Sequence, residues 1–248
     1  MSAAHDSARS AARHGRHFLV LFDIDGTLLR TDGAGRRAIH RALIEIFGRT
    51  GPTDHWFDGK TDPQIVRELM RLAGHGDESI DERMDALFER YVQCLHEELC
   101  DPAHVASALP GVPELLDALD ARDDVVLGLL TGNLAGGARA KLSAVGIDPE
   151  RFRVGAYGSD HELRPELPAI AQRRALEQLG LRVAGDAIVV IGDTPADIEC
   201  GRGVGARAIG VATGRYAPAV LAQHGAAAVF PDLTDTHAVV RAIVGAER

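Results

Sequence analysis

The sequence predicts an α/β protein: a doubly wound parallel sheet interrupted by a small α-helical insert. Three observations predict it. Six short apolar runs recur along the chain, several of them continuously apolar, as strands are when both sheet faces are covered. Helical patterns separate them, which is the signature of βαβ units. After the first run about 80 residues intervene before Leu109-Pro110-Gly111, ahead of the second, far more than one crossover helix requires.

The first strand is FLVLFDID, residues 18–25, followed by a Gly26-Thr27 break. The insert comes next, over residues 34–106, with three helical stripes. Ile39, Leu43, Ile46 and Phe47 make one, Ile65, Leu69 and Leu72 a second, and Met84, Leu87, Tyr91, Leu95 and Leu99 a third. Asp62-Pro63 reads as an N-cap followed by proline at the first helical position. The remaining strands are expected at 124–132, 153–158, 187–194, 206–214 and 226–230. The segments GARAKLSAVGI, PAIAQRRALEQLG and DIECGRGVG lie between successive strands as helices, and APAVLAQHG precedes the last. Residues 17–33 and 107–248 thus form the core domain, 34–106 the helical domain, and 1–16 a polar tail.

Composition narrows the function classes. A net charge of −9 argues against a general nucleic-acid binder, which needs a basic footprint. It leaves room for a small anionic substrate held by a local cluster. Cys94, Cys100 and Cys200 are odd in number and make no CxxC or zinc spacing, so they are expected as reduced thiols. No stretch reaches 18 consecutive apolar residues, and the opening segment lacks the apolar run of a secretory signal. The expected location is cytoplasmic, with no membrane partner, and the expected state is monomer or homodimer.

Ligands of open α/β sheets sit beyond the carboxyl ends of the strands. Three strand ends here carry polar residues: Asp23-Ile24-Asp25-Gly26-Thr27, Leu130-Thr131-Gly132-Asn133, and Gly192-Asp193-Thr194-Pro195-Ala196-Asp197. Asp23 and Asp25 would lie side by side in a continuing strand, where like charges repel, so the strand is expected to end between them. Asp23, Asp25, Asp193 and Asp197 are expected to converge, and so much negative charge calls for a hard cation with oxygen ligands, Mg²⁺. Thr131 and the N–H groups after it, Gly132 and Asn133 among them, stand just before a helix and would cradle a phosphate.

DIDGT, LTGN and GDTPAD, in this order, resemble the haloacid dehalogenase superfamily of phosphohydrolases, and most nearly its phosphoglycolate phosphatase-like members. The insert resembles the helical cap that this family places after its first motif. The resemblance implies that Asp23 is the nucleophile that takes the phosphoryl group, and Asp25 the general acid/base. It implies that Asp23, the backbone carbonyl of Asp25, and Asp193 hold Mg²⁺, with Asp197 in support. An acid at Asp25 also separates this chain from the superfamily's dehalogenases, which lack one there, and from its transport ATPases, which carry threonine. What remains is a phosphatase acting on a small phosphorylated metabolite or, as the alternative, a phosphomutase. A receiver-like signalling module also forms an aspartyl phosphate on a parallel sheet, but has no use for a large insert or a hydrolytic acid.

The chain departs from the family in its third motif, which normally supplies a lysine. Only Lys60 and Lys141 exist. In the expected region stands His161-Glu162-Leu163-Arg164-Pro165-Glu166, so Arg164 is expected to replace the lysine, with a permanent charge and a fork able to grip carboxylate and phosphate. Lys141, inside a helix, is expected to face solvent. Lys60 lies in an insert loop, Phe57-Asp58-Gly59-Lys60-Thr61-Asp62, of the kind that reaches over the site in this family and selects substrate. Gly201, Gly203 and Gly205 follow a helical pattern instead of a strand and make no dinucleotide fingerprint.

Overall fold

The computed structural model describes residues 16–245. Residues 1–15, most of the tail expected from composition, lie outside the described residues. Six parallel strands form the main sheet. They are β1 (Phe18–Phe22), β4 (Val125–Thr131), β5 (Val154–Tyr157), β6 (Ile188–Gly192), β7 (Arg207–Val211) and β8 (Ala228–Phe230). Two dipeptides, β2 (Leu29–Arg30) and β3 (Ser107–Ala108), pair antiparallel where the chain leaves for the insert and returns.

The sheet order is β5-β4-β1-β6-β7-β8. The chain therefore builds outward from β1 in one direction, then returns to β1's other side and builds outward again. That reversal, between β1 and β6, is the switch point where α/β sheets open a crevice for ligands. The central strands β1 and β6 are buried at every position, in agreement with their unbroken apolar runs. Every strand is shorter than its run suggested; in β1 and β6 this is because the polar residues at the carboxyl ends leave the ladder.

The helices are α1 (Ala34–Phe47), α2 (Asp62–Leu72), α3 (Asp77–Cys100), α4 (Val112–Asp120), α5 (Ala135–Ala144), α6 (Leu167–Leu179), α7 (Pro195–Cys200), α8 (Pro218–Gln223) and α9 (Thr236–Val244). The first three belong to the insert, and the others flank the sheet. Helices α4 and α9 were not anticipated from the sequence; α9 packs on α4 and β1 through Val239 and Ile243.

The apolar interior has two main parts. One fills the sheet and its flanking helices, and the other lies among α1, α2 and α3. Leu134, at the start of α5, belongs to the second cluster, so the insert packs directly on a core helix. In the insert, Ile39, Leu43, Phe47, Ile65, Leu69, Leu87, Tyr91 and Leu95 are buried. Leu72 is not: it is 62% exposed, and Val66 and Met70 complete the α2 stripe in its place.

The start of α2 is shifted by one residue from the expected cap. Thr61 is the N-cap, its hydroxyl accepting from Gln64 N at 3.2 Å, with Asp62 and Pro63 inside the first turn. This frees the Asp62 carboxylate to act elsewhere. Among the described residues no helix is long and apolar enough to cross a membrane, and all three cysteines are free thiols.

Candidate active site

The carboxyl ends of β4, β1 and β6 lie side by side and deliver Thr131, Asp23 and Asp193 to one cleft of about 410 Å³. Asp25, Asn133, Lys141 and Arg164 also line it, and the insert closes it with Ile39, Phe57, Lys60 and Tyr91. The opening strand ends at Phe22, before both acids. Asp23 stays tethered by its N–H to Ile191 O at 2.9 Å, while the chain turns at Gly26, whose φ of 84° suits glycine. Asp23 is buried; Asp25 is turned away, with a side chain 44% exposed. The two carboxylates thus escape the crowding that a continuing strand would impose.

Each of them has its own cation. Arg164 donates through Nη2 to Asp23 Oδ1 at 2.9 Å, to Asp197 Oδ1, and to Leu130 O at 3.3 Å. It is 5% exposed, in a short 3₁₀ turn ahead of α6. Lys141 donates to Asp25 Oδ2 at 2.6 Å and to Asn133 Oδ1 at 2.7 Å. The solvent-facing lysine expected from the sequence is therefore corrected: Lys141 is 4% exposed. Its helix has no free face on that side, because α3 of the insert packs against α5. Gly35 on α1 makes room for the ammonium; a Cβ there would lie 3.2 Å from Lys141 Nζ. A signal was present in the sequence. Leu134, Ala138, Lys141 and Leu142 fall at i, i+4, i+7 and i+8, so the lysine sits within a buried stripe.

Asn133, expected beside a phosphate, instead ties the second strand end to the first. Its Nδ2 donates to Asp25 Oδ2 and to Thr131 Oγ1, both at 2.8 Å. Two N–H groups of the expected cradle are engaged within the protein. Asn133 N–H reaches Thr131 Oγ1 at 3.4 Å, and Leu134 N–H donates to Asp62 Oδ2 at 2.9 Å. Asp62 comes from the insert and takes the anion's place at the N-terminus of α5. Its carboxyl is pushed up to about 6 by burial, opposed by Lys141. Lys60 lines the cleft, but its ammonium is held by Glu68 and His55 of the insert.

Oxygens of Asp23, Asp193 and Asp197 lie within 4.8 Å of one another, all buried. Burial first, then Asp197 and Asp23, push the Asp193 carboxyl up to about 8. Among the described residues, its one side-chain hydrogen bond comes from Thr27 Oγ1 at 3.3 Å. Burial also raises Asp23 to about 6, against the pull of Arg164. A buried, under-bonded carboxylate in this company is a place for a hard cation. The set fits Mg²⁺. Asp197 is committed differently: Oδ1 accepts from Arg164, and Oδ2 accepts from Thr194 N at 3.0 Å and Thr194 Oγ1 at 2.6 Å. It closes the capping box of α7 and fixes Arg164.

A family model, haloacid dehalogenase-like hydrolase, matches residues 20–202. The chain belongs to this family. It is accordingly an enzyme, with the parallel sheet and flanking helices of haloacid dehalogenase-like hydrolases. Over 220 residues it is 32% identical to a protein of Rhodospirillum rubrum named phosphoglycolate phosphatase, which covers 86% of each chain. Its fold is shared by a hydrolase from Pseudomonas syringae, at 24% identity and a TM-score of 0.67 over 92% of this chain and 99% of that one. It is shared too by a protein from Bacteroides vulgatus described as a putative β-phosphoglucomutase, at 20% identity and a TM-score of 0.64 over 96% and 94%.

Proposed function

We propose that this haloacid dehalogenase-like enzyme is a phosphatase that hydrolyses a small organic phosphate monoester through an aspartyl phosphate on Asp23. One observation carries the reading. A buried carboxylate beside a buried guanidinium, at 2.9 Å, stands at the base of a cleft with a second, differently partnered carboxylate two residues on. The relative named phosphoglycolate phosphatase supports it and points to 2-phosphoglycolate as the first ester to try.

Asp23 and Asp193 would hold Mg²⁺ together with the backbone carbonyl of Asp25. When bound, the ion offsets the repulsion between the phosphoryl oxygens and these carboxylates. Asp23 attacks phosphorus, and the ester bond breaks as the new acyl-phosphate bond forms. Arg164 balances charge on Asp23 and the phosphoryl oxygens during transfer. Thr131, at the end of β4, offers its hydroxyl to the same group. Asp25 gives its proton to the departing alkoxide, then takes one from water as that water releases phosphate and restores Asp23. Residues 34–106 serve as the cap that excludes bulk water, with Lys60 among the groups facing the leaving group.

The test is phosphate release over a panel of small esters, with and without a bisphosphate activator. Turnover without activator, lost in Asp23→Asn, is the expected result. Release only in the presence of bisphosphate would replace hydrolysis with a phosphomutase reading, and full turnover by Asp23→Asn would remove the nucleophile.

A further inference from the structure

Two buried cations serve the cleft, and the reaction as derived uses only one. Arg164 bonds Asp23 and Asp197 and makes no bond to Asp25, whereas Lys141 bonds Asp25 and makes none to Asp23. Burying an ammonium is costly unless it is fully paired. Here two of the three donors are met by the acid/base carboxylate and by the amide that holds it.

The geometry is asymmetric in a useful way. Lys141 Nζ at 2.6 Å and Asn133 Nδ2 at 2.8 Å both donate to Asp25 Oδ2. Among the described residues, Oδ1 takes no side-chain hydrogen bond, so it is the oxygen left to exchange a proton with substrate. Asp25 projects from a turn after β1 and is 44% exposed, so without a clamp its χ1 and χ2 are free to move. Charge-assisted bonds from two directions fix both torsions. The ammonium is shielded by the insert, since Gly35 of α1 stands against it and α3 packs on its helix.

We propose that Lys141 is the positioning residue of Asp25: with Asn133 it grips Oδ2 and presents Oδ1 to the ester oxygen. The proposal rests on the phosphatase reading above. It assigns Lys141 no contact with the phosphoryl group, which stays with Arg164, Thr131 and the metal.

The test compares kcat/KM, which reports the steps through phosphoryl transfer, for two esters. In 4-nitrophenyl phosphate the leaving group departs with little acid help. In 2-phosphoglycolate, or the best alkyl ester of the release panel if that is not turned over, the alkoxide needs a proton. Lys141→Met is expected to lower kcat/KM about 10- to 100-fold for the alkyl ester and less than about 3-fold for the aryl ester. On the alkyl ester the double variant Lys141→Met/Asp25→Asn should be no slower than Asp25→Asn alone. Equal losses on both esters, or a double variant slower than Asp25→Asn, would assign Lys141 to phosphate binding and overturn the proposal. No loss on either ester would overturn it as well. If Lys141→Met does not fold by circular dichroism, Lys141→Gln, which keeps one donor, is read by the same pattern. Asp25→Asn alone separates the two ideas. If it spares the alkyl ester, the acid/base reading fails; if it does not while Lys141→Met does, only the positioning role fails.

Discussion

Asp23 and Asp25 are two residues apart, yet their surroundings differ in almost every respect. Asp23 is buried among Asp193, Asp197 and Arg164, while Asp25 reaches a lysine and an amide at the edge of the cleft. Arg164→Ala would leave Asp23 and Asp197 buried without their cation, so kcat should fall by at least about 10²-fold. Arg164→Lys should recover part of the loss, because charge returns without the planar fork. A rate unchanged in Arg164→Ala, in protein shown to be folded by its unfolding midpoint, would remove Arg164 from the chemistry. Asp193 gives a second prediction. With its carboxyl pushed up to about 8 by burial and the neighbouring carboxylates, it is expected to keep a proton at neutral pH in metal-free protein. A metal ligand must be deprotonated, so Mg²⁺ binding at pH 7 should expel roughly one proton. Calorimetry in two buffers of different ionisation heat measures that number. The sign is fixed: affinity should rise as pH climbs from 6 towards 8 and then level. Binding with no proton release would mean that Asp193 is already ionised or is not a ligand.

At the level of elements, the sequence was read most reliably where a single neighbour decides the pattern. The central strands β1 and β6 were legible because burial on both faces leaves an unbroken apolar run. Asp23 and Asp193 were legible for a similar reason: each directly follows an apolar strand, where a polar residue leaves the ladder, while Asp197 lies further on in the first turn of α7. What was not legible came from contacts between distant segments. The stripe of Leu134, Ala138, Lys141 and Leu142 marks the lysine's face as buried, but the element that buries it, α3, is distant in the chain. Asp62 reads as the cap of its own helix, whereas Thr61 caps α2 and Asp62 accepts from Leu134 N–H at the start of α5. That misplaced carboxylate yields a prediction. Its pKa is about 6 in the folded protein against an ordinary 3.8, so between these values the folded state holds more protons than the unfolded one. Its contribution to stability therefore falls as pH rises from about 4 to about 6 and is level above. Asp62→Asn lacks this titration. Relative to wild type, the variant should gain stability as pH rises from 4.5 to 6.5, with metal chelated and urea midpoints measured. An unchanged difference across that range would show that Asp62 does not titrate there.

For the molecule as a whole, the contacts by which the insert meets the core around the cleft include two groups besides its packing on α5. On one side the start of α2 locks to the 132–134 loop and the approach to Arg164. Asp62 N donates to Gly132 O at 2.7 Å, Thr61 Oγ1 to Glu162 O at 2.6 Å, and Arg67 Nε to Glu162 Oε2 at 2.9 Å. On the other, Arg215 of the loop after β7 stacks over Trp56, 3.4 Å from the ring centroid, and bonds Asp58 Oδ2 at 3.0 Å. The first group is dense and built on backbone, and it holds position. The second is two exposed side-chain contacts, worth together about 1–2 kcal/mol, and is the side able to yield. An energy of that size changes a closed population by roughly 5- to 30-fold. Arg215→Ala should therefore raise KM by no more than that factor, with kcat little changed, because no group touching phosphorus is altered. Trp56 is the only tryptophan in the chain, so its emission reports on this contact alone. It should shift to longer wavelength in Arg215→Ala and respond less when vanadate, a mimic of the transferring phosphoryl group, is added to the Mg²⁺-loaded enzyme. A vanadate response equal to that of wild type would show that Arg215 does not hold the insert down, and a fall in kcat with KM unchanged would place its effect on the chemistry instead.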